Sequence, residues 1–104
     1  MAPEYITFCG VDEISPGTRE LFDLDQGSII VFNVDGAFYA IENRCSHEEV
    51  ELDHGLLDGC VLECPKHGAT FDLASGAALT PPAYSPIKVY PVRIIDGQLQ
   101  VRIR

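Results

Sequence analysis

The chain has 104 residues, enough for one domain that buries about 65% of its unfolded surface with little margin beyond that. Its apolar fraction of 46% is ordinary for a globular domain, and no apolar run approaches the roughly 20 residues that span a bilayer, which excludes a membrane-spanning helix. Seven basic residues against sixteen acidic ones leave a net charge of −9, which repels nucleic acid and anionic membrane and favours a partner with a basic docking surface.

In chain order, Met1-Ala2-Pro3-Glu4-Tyr5 lacks the cationic start and apolar core of a secretory signal, so a cytoplasmic location is expected. Residues 5–11 and 18–22 read as strands on propensity. Residues 28–34 and 37–41 flank Asp35-Gly36, and Asp58-Gly59 and Asp96-Gly97 likewise sit between apolar or alternating runs. Asp-Gly in that position signals a β-hairpin, because the turn needs positive φ. Three such turns imply a meandering antiparallel fold. Residues 87–95 form a further strand, and Pro86 just before it and Pro91 within it each remove an amide donor, so it lies at a sheet edge or bends there. Leu99, Val101 and Ile103 alternate with Gln98, Gln100, Arg102 and Arg104, which makes residues 98–103 the clearest strand, with one face on a core. No long stretch shows a period of 3.6, so helix should be minimal.

Residues 43–83 differ from their flanks, since they carry all three histidines and the Pro81-Pro82 pair. They read as a small metal-holding subdomain inserted into a β-sandwich or barrel base made by residues 1–42 and 84–104. The chain shows no repeat and no linker, so residues 1–104 read as a single all-β domain.

The chemistry sits in Cys45-Ser46-His47 and Cys64-Pro65-Lys66-His67, two pairs that each offer one thiolate and one imidazole. At C-x-H and C-x-x-H spacing a tight turn can aim both side chains of a pair into one shared space, so Cys45, His47, Cys64 and His67 are the candidate metal ligands. Cys9 and Cys60 remain; with no export signal they should stay reduced, and Cys60, in the apolar Cys60-Val61-Leu62, reads as a small buried thiol rather than a fifth ligand. His54, in Asp53-His54-Gly55, reads as a solvated loop residue. Glu48, Glu49, Glu51, Asp53, Asp58 and Glu63 crowd the motif, either as a solvated surface or as steering charge.

Two thiolates and two imidazoles suit tetrahedral zinc as well as iron. C₂H₂ zinc fingers pair cysteine with cysteine and histidine with histidine and put the second pair on a helix, whereas here each pair is mixed and the context is β. A two-iron centre fits better, with one iron taking both thiolates and the other both imidazoles. Cys45-Ser46-His47 and Cys64-Pro65-Lys66-His67-Gly68-Ala69-Thr70-Phe71-Asp72 resemble the two loops of the Rieske [2Fe–2S] family, and the similarity runs on through Ser75-Gly76 and Pro81-Pro82-Ala83.

That resemblance implies the Rieske fold, one [2Fe–2S] cluster held by Cys45, His47, Cys64 and His67, and a proline-containing loop at Pro81-Pro82 covering it. Two ferric irons and two sulfides sum to a charge of +2, which two thiolates cancel, so neutral imidazoles leave the oxidised site near neutral and ease electron uptake. Rieske centres accordingly span roughly −150 to +300 mV, against about −400 mV for all-cysteine plant-type clusters. Respiratory Rieske proteins carry a serine and a tyrosine where this chain has Ala69 and Phe71, and a disulfide where it has Val50 and Lys66. Those departures point to the low-potential end and to the soluble Rieske ferredoxins of bacterial aromatic-ring dioxygenases. The role so implied is a one-electron carrier, a monomer with no reaction of its own, between a flavin-containing NAD(P)H-dependent ferredoxin reductase and a terminal Rieske oxygenase. The alternatives are a Rieske-like small subunit of a nitrite reductase and a structural zinc-binding β module.

Overall fold

In the computed structural model, which describes residues 3–46, 50–66, 68–81 and 83–103, the chain folds as three antiparallel sheets. In chain order the strands are β1 (Tyr5–Gly10), β2 (Arg19–Leu24), β3 (Gly27–Val34), β4 (Ala37–Glu42), β5 (Leu56–Asp58), β6 (Val61–Glu63), β7 (Thr70–Asp72), β8 (Val89–Tyr90), β9 (Val92–Ile95) and β10 (Gln98–Arg102). A single 3₁₀ turn, Val11–Glu13, follows β1, and there is no α-helix among the described residues. The sheet orders are β1-β10-β9, β2-β3-β4-β8 and β5-β6-β7.

Two of the three expected Asp-Gly turns form as the sequence implies. Asp35 and Gly36 join β3 to β4 with φ of 51° and 91°, and Asp96 and Gly97 join β9 to β10 with φ of 52° and 75°. Two consecutive positive φ angles give the twist that a two-residue hairpin needs. The third turn is displaced by one residue: Asp58 is the last residue of β5 and pairs with Val61, so the loop is Gly59-Cys60. Gly59 takes the positive φ, at 59°, in the first loop position, where glycine is favoured because no Cβ opposes it. Cys60 is therefore a turn residue, half-buried where its apolar neighbours imply a small buried thiol; Cys9, in β1, is half-buried too.

The 87–95 stretch divides at Pro91. Val89 and Tyr90 pair with β4 at the edge of the four-stranded sheet, while Val92–Ile95 pairs with β10 at the edge of another. A proline without an amide donor fits that crossing between two edges, and its carbonyl still accepts from the Arg102 amide at 2.9 Å.

Strand β3 shows why these layers stack. Ile29 and Val31 enter a core shared with Leu99 and Val101 of the β1-β10-β9 sheet, whereas Ile30 and Phe32 enter a second core shared with Leu62 and Phe71 of the β5-β6-β7 sheet. All four are at most 1% exposed. A strand covered on both faces loses the polar alternation of a half-buried one, which explains the unbroken Ile-Ile-Val-Phe run. The four-stranded sheet is thus the middle of three layers, and the second core is the one that contains Cys45 and Cys64.

Candidate metal centre

Cys45 follows the end of β4 and Cys64 follows the end of β6, and each opens a loop of the same size closed in the same way. The Cys45 amide donates to the Val50 carbonyl at 2.8 Å, and the Cys64 amide donates to the Ala69 carbonyl at 2.7 Å. The second loop is the connection of the β6–β7 hairpin, whose last pair is Glu63 with Thr70, and the Gly68 amide also donates to the Cys64 carbonyl at 3.2 Å. Both cysteines are almost wholly buried, at 2% and 1% exposure, and neither is disulfide-bonded. The two loops therefore present their thiols to one apolar core.

Side chains outside the ligand motif, one of them on distant β2, hold the first loop. Asn43, 8% exposed, accepts the Leu52 and Asp53 amides on Oδ1 at 2.7 and 2.9 Å and donates Nδ2 to Glu51 at 3.0 Å, joining the outgoing limb of the loop to the incoming one. Arg19 of β2 donates to the carbonyls of Asp53 and Gly55 at 3.1 and 2.8 Å while its guanidinium lies 4.9 Å over the Phe32 ring. Burial lowers the Arg19 pKa from its ordinary value, partly offset by the Asp53 carboxylate. At Gly55 the limbs of both loops converge, since a Cβ there would stand 2.5 Å from the Glu63 carbonyl oxygen and 3.1 Å from that of Leu52. None of these contacts is visible in the sequence motif, because the partners lie up to 36 residues apart.

His47 and His67 lie outside the described residues, as do Glu48, Glu49 and Pro82. Among the described residues no group of three or more His, Cys, Asp or Glu side chains assembles, so Cys9, Cys60, His54 and the acids Glu51, Asp53, Asp58 and Glu63 add no third ligand to the thiols. His54 is exposed and sits 3.6 Å from Asp53. The Tyr39 pKa is raised from its ordinary value, chiefly by its interaction with the neighbouring Cys60. Ala69 and Phe71, the positions that lack hydroxyls, are wholly buried in the core of the two cysteines, as are Leu52 and Leu62. Two thiols in an apolar setting suit a soft metal centre whose net charge is small when oxidised.

The residues from 4 to 91 match the family model of the Rieske [2Fe-2S] domain, and the chain belongs to that family. It is 42% identical over 87 residues to the biphenyl dioxygenase ferredoxin subunit of Pseudomonas sp. strain KKS102, covering 83% of this chain and 80% of the relative. The Sphingomonas yanoikuyae B1 ferredoxin is similar in structure, with a TM-score of 0.87 at 35% identity over 97% of this chain and 100% of that one. A chain in the complex of reduced oxygenase and oxidized ferredoxin in carbazole 1,9a-dioxygenase gives a TM-score of 0.88 at 31% identity, covering 94% of this chain and 92% of that one. The expected all-β Rieske fold, the Rieske-type [2Fe–2S] cofactor and the electron-carrying role all stand, and the zinc module is set aside.

Proposed function

We propose that this carrier takes electrons singly from an NAD(P)H-dependent flavin reductase and passes them to a terminal ring-hydroxylating oxygenase through a low-potential cluster held by Cys45, Cys64, His47 and His67. The observation that carries the reading is the pair of six-residue loops, each closed by a bond from the cysteine amide to the carbonyl five residues on, which bring Cys45 and Cys64 to one buried core. When bound, the cluster supplies one reversible electron. Cys45 and Cys64 would hold one iron, and His47 and His67, in the same loops by sequence, would hold the other. Leu52, Leu62, Ala69 and Phe71 keep water from the thiolates and offer no hydroxyl to the sulfurs, which supports a potential at the low end of the Rieske range.

The chain acts as one domain, residues 1–104, with residues 43–83 carrying the cluster on a base of residues 1–42 and 84–104. No helix among the described residues is long and apolar enough to cross a membrane, and we place the carrier in the cytoplasm as a monomer that meets each partner briefly. The test is an EPR spectrum of the dithionite-reduced protein. Mixed imidazole and thiolate ligation gives a lower average g-value than four cysteines, and His47→Cys or His67→Cys should abolish or alter that signal. A silent sample containing zinc and no sulfide would sink the reading.

A further inference from the structure

Residues 78–81 and 83–87 run from the end of the β5-β6-β7 sheet back to β8 across the core that holds both thiols. Ala78 bridges to Phe71, Ala83 and Ile87 are 4% and 2% exposed within that core, and Tyr84 between them is 86% exposed. Backbone bonds fix the two ends of this strap: the Leu79 amide donates to the Thr70 carbonyl at 2.8 Å and the Ile87 amide to the Gly76 carbonyl at 2.9 Å. Hydroxyl groups then tie the strap to each cysteine loop. Thr80 Oγ1 accepts the Thr70 amide at 3.0 Å and lies 2.9 Å from the Thr70 hydroxyl, directly after the Ala69 carbonyl that closes the second loop. Ser46, the residue after Cys45, donates its hydroxyl to the Ser85 carbonyl in the middle of the strap.

We propose that Ser46 is a positioning residue whose hydroxyl latches the strap onto the first cysteine loop, with Thr80 as the matching latch onto the second. Through these two bonds one strap spans both loops and keeps Ala83 seated over the thiols, so water enters the centre only when the strap lifts. Water access sets both the local dielectric and the ease with which a metal centre is stripped. An exposed hydrogen bond of this kind adds little to global stability but sets the local opening equilibrium of the segment it holds. The inference rests on the reading that Cys45 and Cys64 carry the cluster, whereas its first measurement does not.

The experiment is hydrogen exchange by mass spectrometry on the cluster-loaded protein, with the rate of cluster bleaching by an iron chelator followed in parallel. Ser46→Ala should speed exchange of the Ala83, Tyr84, Ser85 and Ile87 amides about tenfold and leave the β1-β10-β9 sheet unchanged, and Ser46→Thr should restore the wild-type rate. Thr80→Val, outside both ligand motifs in sequence, should speed exchange of the Leu79 and Thr80 amides and accelerate bleaching, and it decides the matter if Ser46→Ala does not retain its centre. Unchanged exchange in the strap, or a rise spread evenly over all three sheets, overturns the latch. Faster exchange without faster bleaching overturns its shielding role. A failure of the ligand reading shows separately, as the absence of a Rieske EPR signal from the wild type.

Discussion

At positions 69 and 71 the chain places an alanine and a phenylalanine, both wholly buried in the core of Cys45 and Cys64. A hydroxyl introduced there could donate to a cluster sulfur, and the bond would strengthen as reduction adds negative charge. Ala69→Ser and Phe71→Tyr should therefore each raise the midpoint potential by roughly 40–60 mV, the one-electron equivalent of a net hydrogen bond of about 1 kcal/mol. A spectroelectrochemical titration that found both variants at the wild-type potential would contradict the hydroxyl account. Asn43 offers a test of a different kind, because Asn43→Ala strands the Leu52 and Asp53 amides that its Oδ1 accepts. A loss of about 2–4 kcal/mol is expected in denaturant unfolding, one to two unsatisfied buried groups' worth. At this scale the cysteines were legible, since a C-x-H…C-x-x-H spacing states its chemistry within a few residues. Asn43, Arg19 and Ser46 were not, because an asparagine, an arginine or a serine acquires its role from partners that only the folded chain brings near.

Strands, like residues, were legible where the signal is local. The two positive-φ Asp-Gly turns and the alternation of β10 follow from backbone sterics and side-chain period alone. Strands β5, β6 and β7 have three residues each, too few for alternation to declare itself, and the Gly59-Cys60 loop shifted because Asp58 is drawn into pairing with Val61. Their packing against the first cysteine loop passes through Gly55. Gly55→Ala would put a methyl 2.5 Å from a backbone oxygen of Glu63, which cannot yield as a flexible side chain would. The two limbs must then move apart, at a cost of about 1–3 kcal/mol and a fall in Tm of roughly 5–15 °C. Thermal unfolding followed by visible absorbance measures it, and a Tm within 1 °C of wild type, on the order of experimental scatter, would show that the limbs are not held in register there.

Across the whole molecule the two cores share one sheet, yet only one contains Cys45 and Cys64, and this asymmetry has consequences for loading and for partners. Stripping the iron with a chelator should raise amide exchange in the β5-β6-β7 sheet while the amides of β1 and β10, whose side chains pack in the other core, keep their protection. Equal loss of protection in both would mean that the cores unfold as one unit. The long-range field is a second molecular property, since a net charge of −9 on 104 residues reaches beyond any single contact. Exposed Glu51 and Asp58 place part of that charge near the cysteine loops. A carrier that finds two partners in turn, as proposed above, gains more from fast encounter than from tight binding, and opposite charge on the partner supplies that speed by steering. Because salt shortens the reach of such a field from about 10 Å at 0.1 M to about 3 Å at 1 M, the second-order rate of reduction by the reductase should fall about tenfold or more over that range. Stopped-flow reduction of the cluster at increasing sodium chloride measures this directly. A rate that stays flat would make the acidic surface a matter of solubility, and a rate that rises would mean that the docking face of the reductase is itself acidic.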